Sequence, residues 1–95
     1  IVNYLLEKVY KYDGKKESKE YMASKFFENY NHYLIKNGFS GTNQTSLGRI
    51  LNEYDEFGII KKRTSQGVKY TINFNLLKTH LKSKGYYEEI EFIDE

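Results

Sequence analysis

The chain lacks cysteine and tryptophan, has two histidines among its 95 residues, and carries apolar side chains only in short runs such as Leu5-Leu6. Without cysteine it has no disulfide framework and no cysteine-based zinc site, and His32 and His80 are too few to indicate a metal centre. No run is long enough to span a bilayer, and the sequence has no secretory signal peptide. We therefore expect a cytoplasmic protein with no metal, no cofactor and no membrane partner.

Sequence motifs of enzyme chemistry are missing as well. The chain has no GxSxG nucleophile elbow, no Walker A loop, no HExxH zinc motif and no cysteine nucleophile. Acid–base chemistry would have to recruit scattered surface residues. These absences predict a binding module without enzymatic activity and without a small-molecule substrate.

Charge is distributed unevenly along the chain. The formal net charge is +2, yet residues 88–95 hold five acids and no base. Residues 1–87 carry 15 basic and 8 acidic side chains, a net charge of +7. A body this basic favours a polyanionic partner. We predict one domain over residues 1–87 and an acidic C-terminal tail over 88–95, and a first residue other than methionine suggests a longer parent protein.

Hydrophobic periodicity predicts the helices. The first covers roughly residues 2–12, and the second begins at a capping Ser24 and ends at Gly38. Residues 18–23 fit either a short strand or an earlier start of this second helix. The expected inward side chains are Val2, Leu5, Leu6 and Val9 in the first helix and Phe26, Phe27, Tyr30, Tyr33 and Leu34 in the second.

The third helix is predicted to begin at a capping Asn43 and to be closed by Gly58. A fourth covers residues 75–84 and ends at Gly85. The inward face of the third helix is expected to be formed by Leu47, Ile50, Leu51, Tyr54 and Phe57.

After Gly58 the hydrophobic period changes from about 3.6 to about 2 residues, which is typical of strands. Residues 59–64 and 68–74 alternate on either side of a polar turn and predict a β-hairpin. The resulting order is helix, possible short strand, helix, turn, helix, hairpin, helix. It predicts a mostly α fold with a small β-hairpin, a winged helix-turn-helix, and a general α+β domain remains the alternative.

In a winged helix the start of the third helix is the natural reader of base edges. Asn43, Gln44, Thr45 and Ser46 stand there, and glutamine pairs well with adenine. Arg49 and Asn52 are expected on the same exposed side as Gln44, Thr45 and Gly48, and an outward-facing Gly48 leaves room for a close approach. The alternative is a well-capped helix with a solvated face.

The hairpin supplies the second set of candidate DNA-binding residues. Its strands carry basic side chains and its turn carries polar ones, a composition that suits phosphates or the minor groove. The candidates are Lys61, Lys62, Arg63, Ser65, Gln66 and Lys69. The alternative is an edge hairpin whose lysines prevent aggregation.

A longer pattern extends from Tyr21 to Phe74. Phe26-Phe27-x-x-Tyr30-x-x-Tyr33-x-x-x-x-Gly38 is followed by Asn43-x-x-x-Leu47-Gly48-x-x-Leu51, then by Gly58, the basic residues 61–63 and Gly67. It resembles the C-terminal winged-helix domain of primase–helicases from phages, plasmids, poxviruses and chromosomal islands. That family has tryptophan where this chain has Tyr33, phenylalanine where it has Leu47 and a capping serine where it has Asn43. The resemblance implies a mobile-element replication initiator with a superfamily 3 ATPase upstream, whose winged helix recognises the origin or guides DNA to the helicase.

The sequence therefore predicts double-stranded DNA as the partner, together with other domains of the parent protein. Two other functions remain open. One is a protein-interaction winged helix whose basic face docks an acidic partner, and the other is a free-standing transcription repressor, which requires a dimer. Tyr86 and Tyr87, which follow the last helix, are candidates for stacking on single-stranded bases.

Overall fold

The computed structural model describes residues 1–87, and the acidic tail predicted over residues 88–95 lies outside the described residues. Helices and strands follow one another in the predicted order within this part of the chain. They are α1 Val2–Tyr12, β1 Ser18–Met22, α2 Ala23–Lys36, α3 Gln44–Asn52, β2 Ile59–Thr64, β3 Gly67–Asn73 and α4 Phe74–Ser83, with a 3₁₀ turn at Asp55–Phe57.

The strands form one antiparallel sheet in the order β1-β3-β2. Tyr21 of β1 and Lys61 of β2 lie opposite Tyr70 of β3, one on each side. The predicted hairpin is therefore part of a larger sheet, and residues 1–87 form a mixed α/β fold with four helices and three strands. The sequence leaves β1 undecided because Tyr21 is the one buried side chain of this five-residue edge strand, so the strand shows little hydrophobic alternation.

The core lies between one face of the sheet and the helices. Ile59 and Ile72 are paired across β2 and β3 and are buried on this face. α1 packs on α2 through aromatic rings, with the Tyr4 and Phe26 centroids 5.8 Å apart. Burying a large apolar side chain contributes about 1.5–3 kcal/mol. The largest fully buried ones are Phe26, Leu5, Leu51, Ile59, Ile72, Leu77, Leu81 and Val9, which confirms the inward positions predicted for Leu5, Val9, Phe26 and Leu51.

The predicted helix caps have different outcomes. Asn43 caps α3 as expected, since its Oδ1 accepts a hydrogen bond from the Ser46 backbone N–H at 2.8 Å. The prediction that Ser24 caps α2 is wrong. α2 begins at Ala23, directly after β1, and Met22 occupies the cap position with extended backbone (ψ 139°). Because the strand continues into the helix without a loop, Ser24 lies inside the first helical turn.

The prediction that Phe57 joins the inward face of the third helix is also wrong. α3 ends at Asn52, and the 3₁₀ turn that follows breaks the helical period. Phe57 is 41% exposed, and its ring stacks on that of His80 at 4.1 Å between centroids. Gly58 then has φ +111°, and a Cβ there would lie 2.6 Å from the Leu77 backbone nitrogen, so glycine is required at this turn.

Two negative findings apply to residues 1–87. None of the helices there combines the length and apolar character needed to cross a membrane. No group of three or more metal-binding side chains is arranged to hold an ion in the same range.

Candidate nucleic-acid interface

The start of α3 presents polar side chains in a defined orientation. Asn43, Gln44 and Thr45 are exposed, and Ser46 is half-buried. The side-chain Oδ1 of Asn43 accepts from the Ser46 backbone N–H, so the amide NH₂ of the same side chain is the end left for a ligand. Gln44 and Thr45 make no side-chain cap contact, and their side chains are free to turn toward a partner.

The turn between α2 and α3 is anchored from α2. Asn31 Oδ1 accepts a hydrogen bond from the Thr42 backbone N–H at 2.9 Å, one residue before the cap. A Cβ on Gly41 would lie 2.7 Å from the same oxygen, so glycine leaves room for this contact. α2 therefore sets where α3 begins.

A groove of about 470 Å³ separates α3 from the hairpin. Its lining includes three small or apolar residues and one tyrosine, namely Ala23, Gly48, Val68 and Tyr70. The polar residues that line it are Gln44, Thr45, Arg49 and Asn52 of α3 and Lys61 of β2. Five of the predicted DNA-binding residues thus meet in one groove, and the start of α3 and one side of the hairpin form a shared surface.

The strand register explains why Lys61 belongs to this groove. Residues paired directly across an antiparallel sheet point to the same face. Lys61 pairs with Tyr70, and Arg63 pairs with Val68. Since Tyr70 and Val68 line the groove, Lys61 and Arg63 lie on the face of the sheet that carries α3.

The other basic side chains of the hairpin lie on the opposite face. Lys62 pairs with Lys69, and Lys69 pairs in turn with Met22 of β1. Lys69 Nζ forms an ion pair with Glu20 at 3.0 Å. The predicted basic hairpin is therefore two-sided, and Lys62 and Lys69 do not share the groove with Arg49.

The turn of the hairpin is held by the side chain of Thr64. Its hydroxyl donates to the Gly67 carbonyl oxygen at 2.9 Å and accepts from the Gln66 backbone N–H at 3.2 Å. Ser65 and Gln66 are exposed at the tip. The tip is thus ordered by local hydrogen bonds and offers two polar side chains to a partner.

The groove is basic and polar. Two of its lining side chains, Arg49 and Lys61, are cations, and no acid among residues 1–87 lines it. Burial raises the pKa of Tyr70, whose hydroxyl therefore stays neutral at ordinary pH. The acids Glu53, Asp55 and Glu56 follow the C-terminal end of α3, away from its N-terminal amides. An anion is favoured at the start of α3, because the helix dipole is positive there.

Sequence reasoning did not identify Ala23, Val68 and Tyr70 as lining residues. They form a surface only when α2, β3 and α3 come together, and that arrangement depends on non-local pairing. The one sequence feature that indicates a lining residue is Tyr70, because its side chain has a polar end on an otherwise apolar strand face.

Comparison of the chain with protein-family models, with curated proteins and with solved structures gives no significant match. The resemblance to primase–helicase winged helices therefore rests on the sequence pattern alone.

Proposed function

We propose that residues 1–87 form a winged helix-turn-helix that binds duplex DNA without catalysing a reaction. In this proposal α2 and α3 are the helix-turn-helix, and β2 and β3 are the wing. The observation that carries it is the groove in which Gln44, Thr45, Arg49 and Asn52 of α3 meet Lys61 of β2. A polyanion is the partner that suits the charge of +7 on this part of the chain.

The proposed mechanism is placement of α3 in the major groove. Its N-terminal half enters first, so that Gln44, Thr45 and Arg49 contact base edges. Lys61 and Arg63, on the same face, contact phosphates of the flanking backbone. Lys62 and Lys69 lie on the outer face of the wing and are assigned to the backbone on the far side of it, together with Ser65 and Gln66 at the tip.

The biological setting follows from the resemblance and is part of the proposal. The domain would recognise an origin, or guide DNA toward a helicase, as the C-terminal module of a mobile-element replication initiator. Its own contribution is to position the DNA, and any ATP hydrolysis belongs to another domain of the parent protein.

Salt dependence of duplex binding tests the phosphate contacts. Each contact with a phosphate contributes about −0.9 to the slope of log affinity against log salt. The double substitution Lys61→Gln and Arg63→Gln should therefore make that slope less steep by about 1.8. The matched control is Lys36→Gln with Lys84→Gln, which removes the same charge from the exposed ends of α2 and α4 and should leave the slope unchanged.

Sequence preference tests the reading helix. Arg49→Ala should reduce discrimination between duplexes, whereas the wing substitutions should weaken all duplexes alike. An equal loss for every sequence with Arg49→Ala would argue against base reading by α3. Absence of duplex binding even at low salt would favour an acidic protein partner, and a stable dimer in solution would favour a transcription repressor.

A further inference from the structure

A second group of cations lies at the other edge of the sheet from β2. Lys8, Lys11, Lys16 and Lys19 surround the rings of Tyr12 and Tyr21, and we call these six residues the lysine–tyrosine cluster. Tyr12 ends α1, and Lys19 and Tyr21 belong to β1. Because β3 separates β1 from β2, this cluster is distinct from the groove between α3 and the hairpin.

The lysine head groups are held over the aromatic rings. The Nζ atoms of Lys11, Lys16 and Lys19 lie 5.3, 5.8 and 4.9 Å from the centroid of the Tyr12 ring. Cation–π contacts of this kind are favourable within about 6 Å. Lys19 is also within 5.1 Å of the Tyr21 ring, so it bridges the two tyrosines.

Hydrogen bonds hold the buried side of the cluster together. Lys19 Nζ donates to the Tyr12 hydroxyl oxygen at 2.8 Å, and Lys8 Nζ donates to that of Tyr21 at 3.3 Å. Lys8 and Lys19 are half-buried, whereas Lys11 and Lys16 are exposed. The cluster thus combines a half-buried, hydrogen-bonded pair of lysines with two exposed ones.

Carboxylates do not neutralise these lysines within residues 1–87. The ion pairs found there join Lys25 to Glu28, Lys69 to Glu20 and Lys78 to Asp13. Asp13, the acid next to Tyr12, is therefore already engaged, at 2.9 Å from Lys78 Nζ. Glu7 lies near enough to favour the charged form of Lys8 but forms no ion pair with it.

We propose that the lysine–tyrosine cluster binds phosphate groups, and specifically the phosphodiester backbone of nucleic acid. This would be a second contact, outside the groove between α3 and the hairpin. Four cations that repel one another gain when an anion enters between them. The Tyr12 hydroxyl oxygen accepts from Lys19 and so holds that ammonium group in place within the cluster. This inference does not depend on base reading by α3.

The position of the cluster makes the two contacts neighbours. Neighbouring strands lie about 4.8 Å apart, so β1 and β2 are separated by roughly 10 Å across the sheet. The Phe26 ring of α2 packs against β1 and β3, with its centroid 5.7 Å from that of Tyr21 and 6.0 Å from that of Tyr70. The cluster and the groove between α3 and the hairpin therefore lie toward opposite edges of one three-stranded sheet, within reach of a single duplex.

The test uses nuclear magnetic resonance of the full 95-residue chain, titrated separately with inorganic pyrophosphate and with a DNA duplex. Shifts of the Lys11, Tyr12, Lys16 and Lys19 resonances with both probes are expected. In Lys11→Gln with Lys16→Gln, the salt slope of duplex binding should become less steep by about 1.8. Lys36→Gln with Lys84→Gln is again the matched control, and thermal unfolding verifies that both variants fold.

The outcomes separate this inference from the function proposed above. Shifts with pyrophosphate alone would support phosphate chemistry but overturn nucleic acid as its source. No shift of the cluster with either probe, or an unchanged salt slope in the double variant, would overturn the inference outright. Loss of duplex binding in Lys61→Gln with Arg63→Gln, but not in the cluster variant, would leave the α3 proposal standing alone; the reverse result would leave the cluster alone.

Discussion

Gly48 of α3 faces the hydroxyl of Tyr70 on β3, and a Cβ placed on Gly48 would lie 3.8 Å from that oxygen, an ordinary contact distance. The protein itself therefore has room for a side chain at this helical position. Glycine in a helix interior costs about 1 kcal/mol relative to alanine. The glycine is easier to explain if an external backbone approaches the groove there.

Gly48→Ala should therefore raise stability and lower DNA affinity in the same protein. We expect the free energy of unfolding to increase by up to about 1 kcal/mol, measured by denaturant titration. Duplex affinity should fall, because the added methyl group occupies the groove. Ser24→Ala, an exposed change inside α2, serves as the control that should leave affinity unaltered. Unchanged affinity in Gly48→Ala would remove this argument for close approach.

Gly58→Ala should destabilise the fold strongly. The residue has φ +111°, and a Cβ would lie 2.6 Å from Leu77 N and 2.9 Å from the Asn73 carbonyl oxygen, both backbone atoms. Strain and overpacking together predict a loss of roughly 2–4 kcal/mol in the free energy of unfolding. Gly85→Ala is the comparison, since its φ is +77° with nothing within 4 Å, and it should cost about 1–2 kcal/mol. Equal losses for the two variants would contradict the steric explanation.

Removal of the side-chain cap of α3 should lower the free energy of unfolding, and a serine at the same position should restore most of it. Asn43→Ala deletes the acceptor for the Ser46 backbone N–H and should cost about 1 kcal/mol. Asn43→Ser restores an acceptor and should recover most of that loss. Chemical denaturation of the three proteins gives the comparison. If serine were no better than alanine, the hydrogen bond at 2.8 Å would not be what stabilises the start of α3.

Tyr12 should ionise well before the buried tyrosines of the core. The hydrogen bond from Lys19, followed by the charges of Lys19 and Lys11, lowers the pKa of Tyr12 to about 8 against an opposing effect of burial. Burial, by contrast, raises the pKa of Tyr4 to about 12. Ultraviolet titration should resolve an early transition that is lost in Tyr12→Phe and moves to higher pH in Lys19→Gln.

The same shift predicts how stability depends on pH. Between the folded pKa of about 8 and the ordinary value of 10, the unfolded state holds the Tyr12 proton and the folded state does not. Stability contributed by this group therefore rises as pH increases through that window and is lost as pH falls through about 8. The gap in unfolding free energy between the parent protein and Tyr12→Phe should widen accordingly, and a constant gap would count against the shift.

Local patterns in the sequence were sufficient for much of this fold. The stripe of Val2, Leu5 and Val9 predicts α1 with its observed bounds, and Asn43 is placed correctly as the cap of α3. Both features depend on residues within one or two helical turns. Asn73 caps α4 by accepting from the Leu76 N–H at 3.1 Å, but the alternation of residues 68–74 predicts only a strand there, because Asn73 both ends β3 and caps the helix.

The candidate site was predicted less completely, because it depends on pairing between distant residues. A period of two indicates that Lys61 and Lys62 point to opposite faces, but only the register with Tyr70 identifies which face carries α3. The pairing of Lys69 with Glu20 requires β1, which the sequence left undecided. The lysine–tyrosine cluster likewise joins α1 to β1, and no local pattern points to it.

Two strands of the sheet continue into helices without an intervening residue, β1 into α2 at Met22–Ala23 and β3 into α4 at Asn73–Phe74. At these two junctions the number of residues is consequently constrained more tightly than the type of residue. One residue inserted after Met22 would turn α2 by about 100° about its axis and carry Phe26 out of the interior. The loop at Ser65–Gln66 has no such coupling, so length variation should be tolerated at the wing tip and rejected at both junctions.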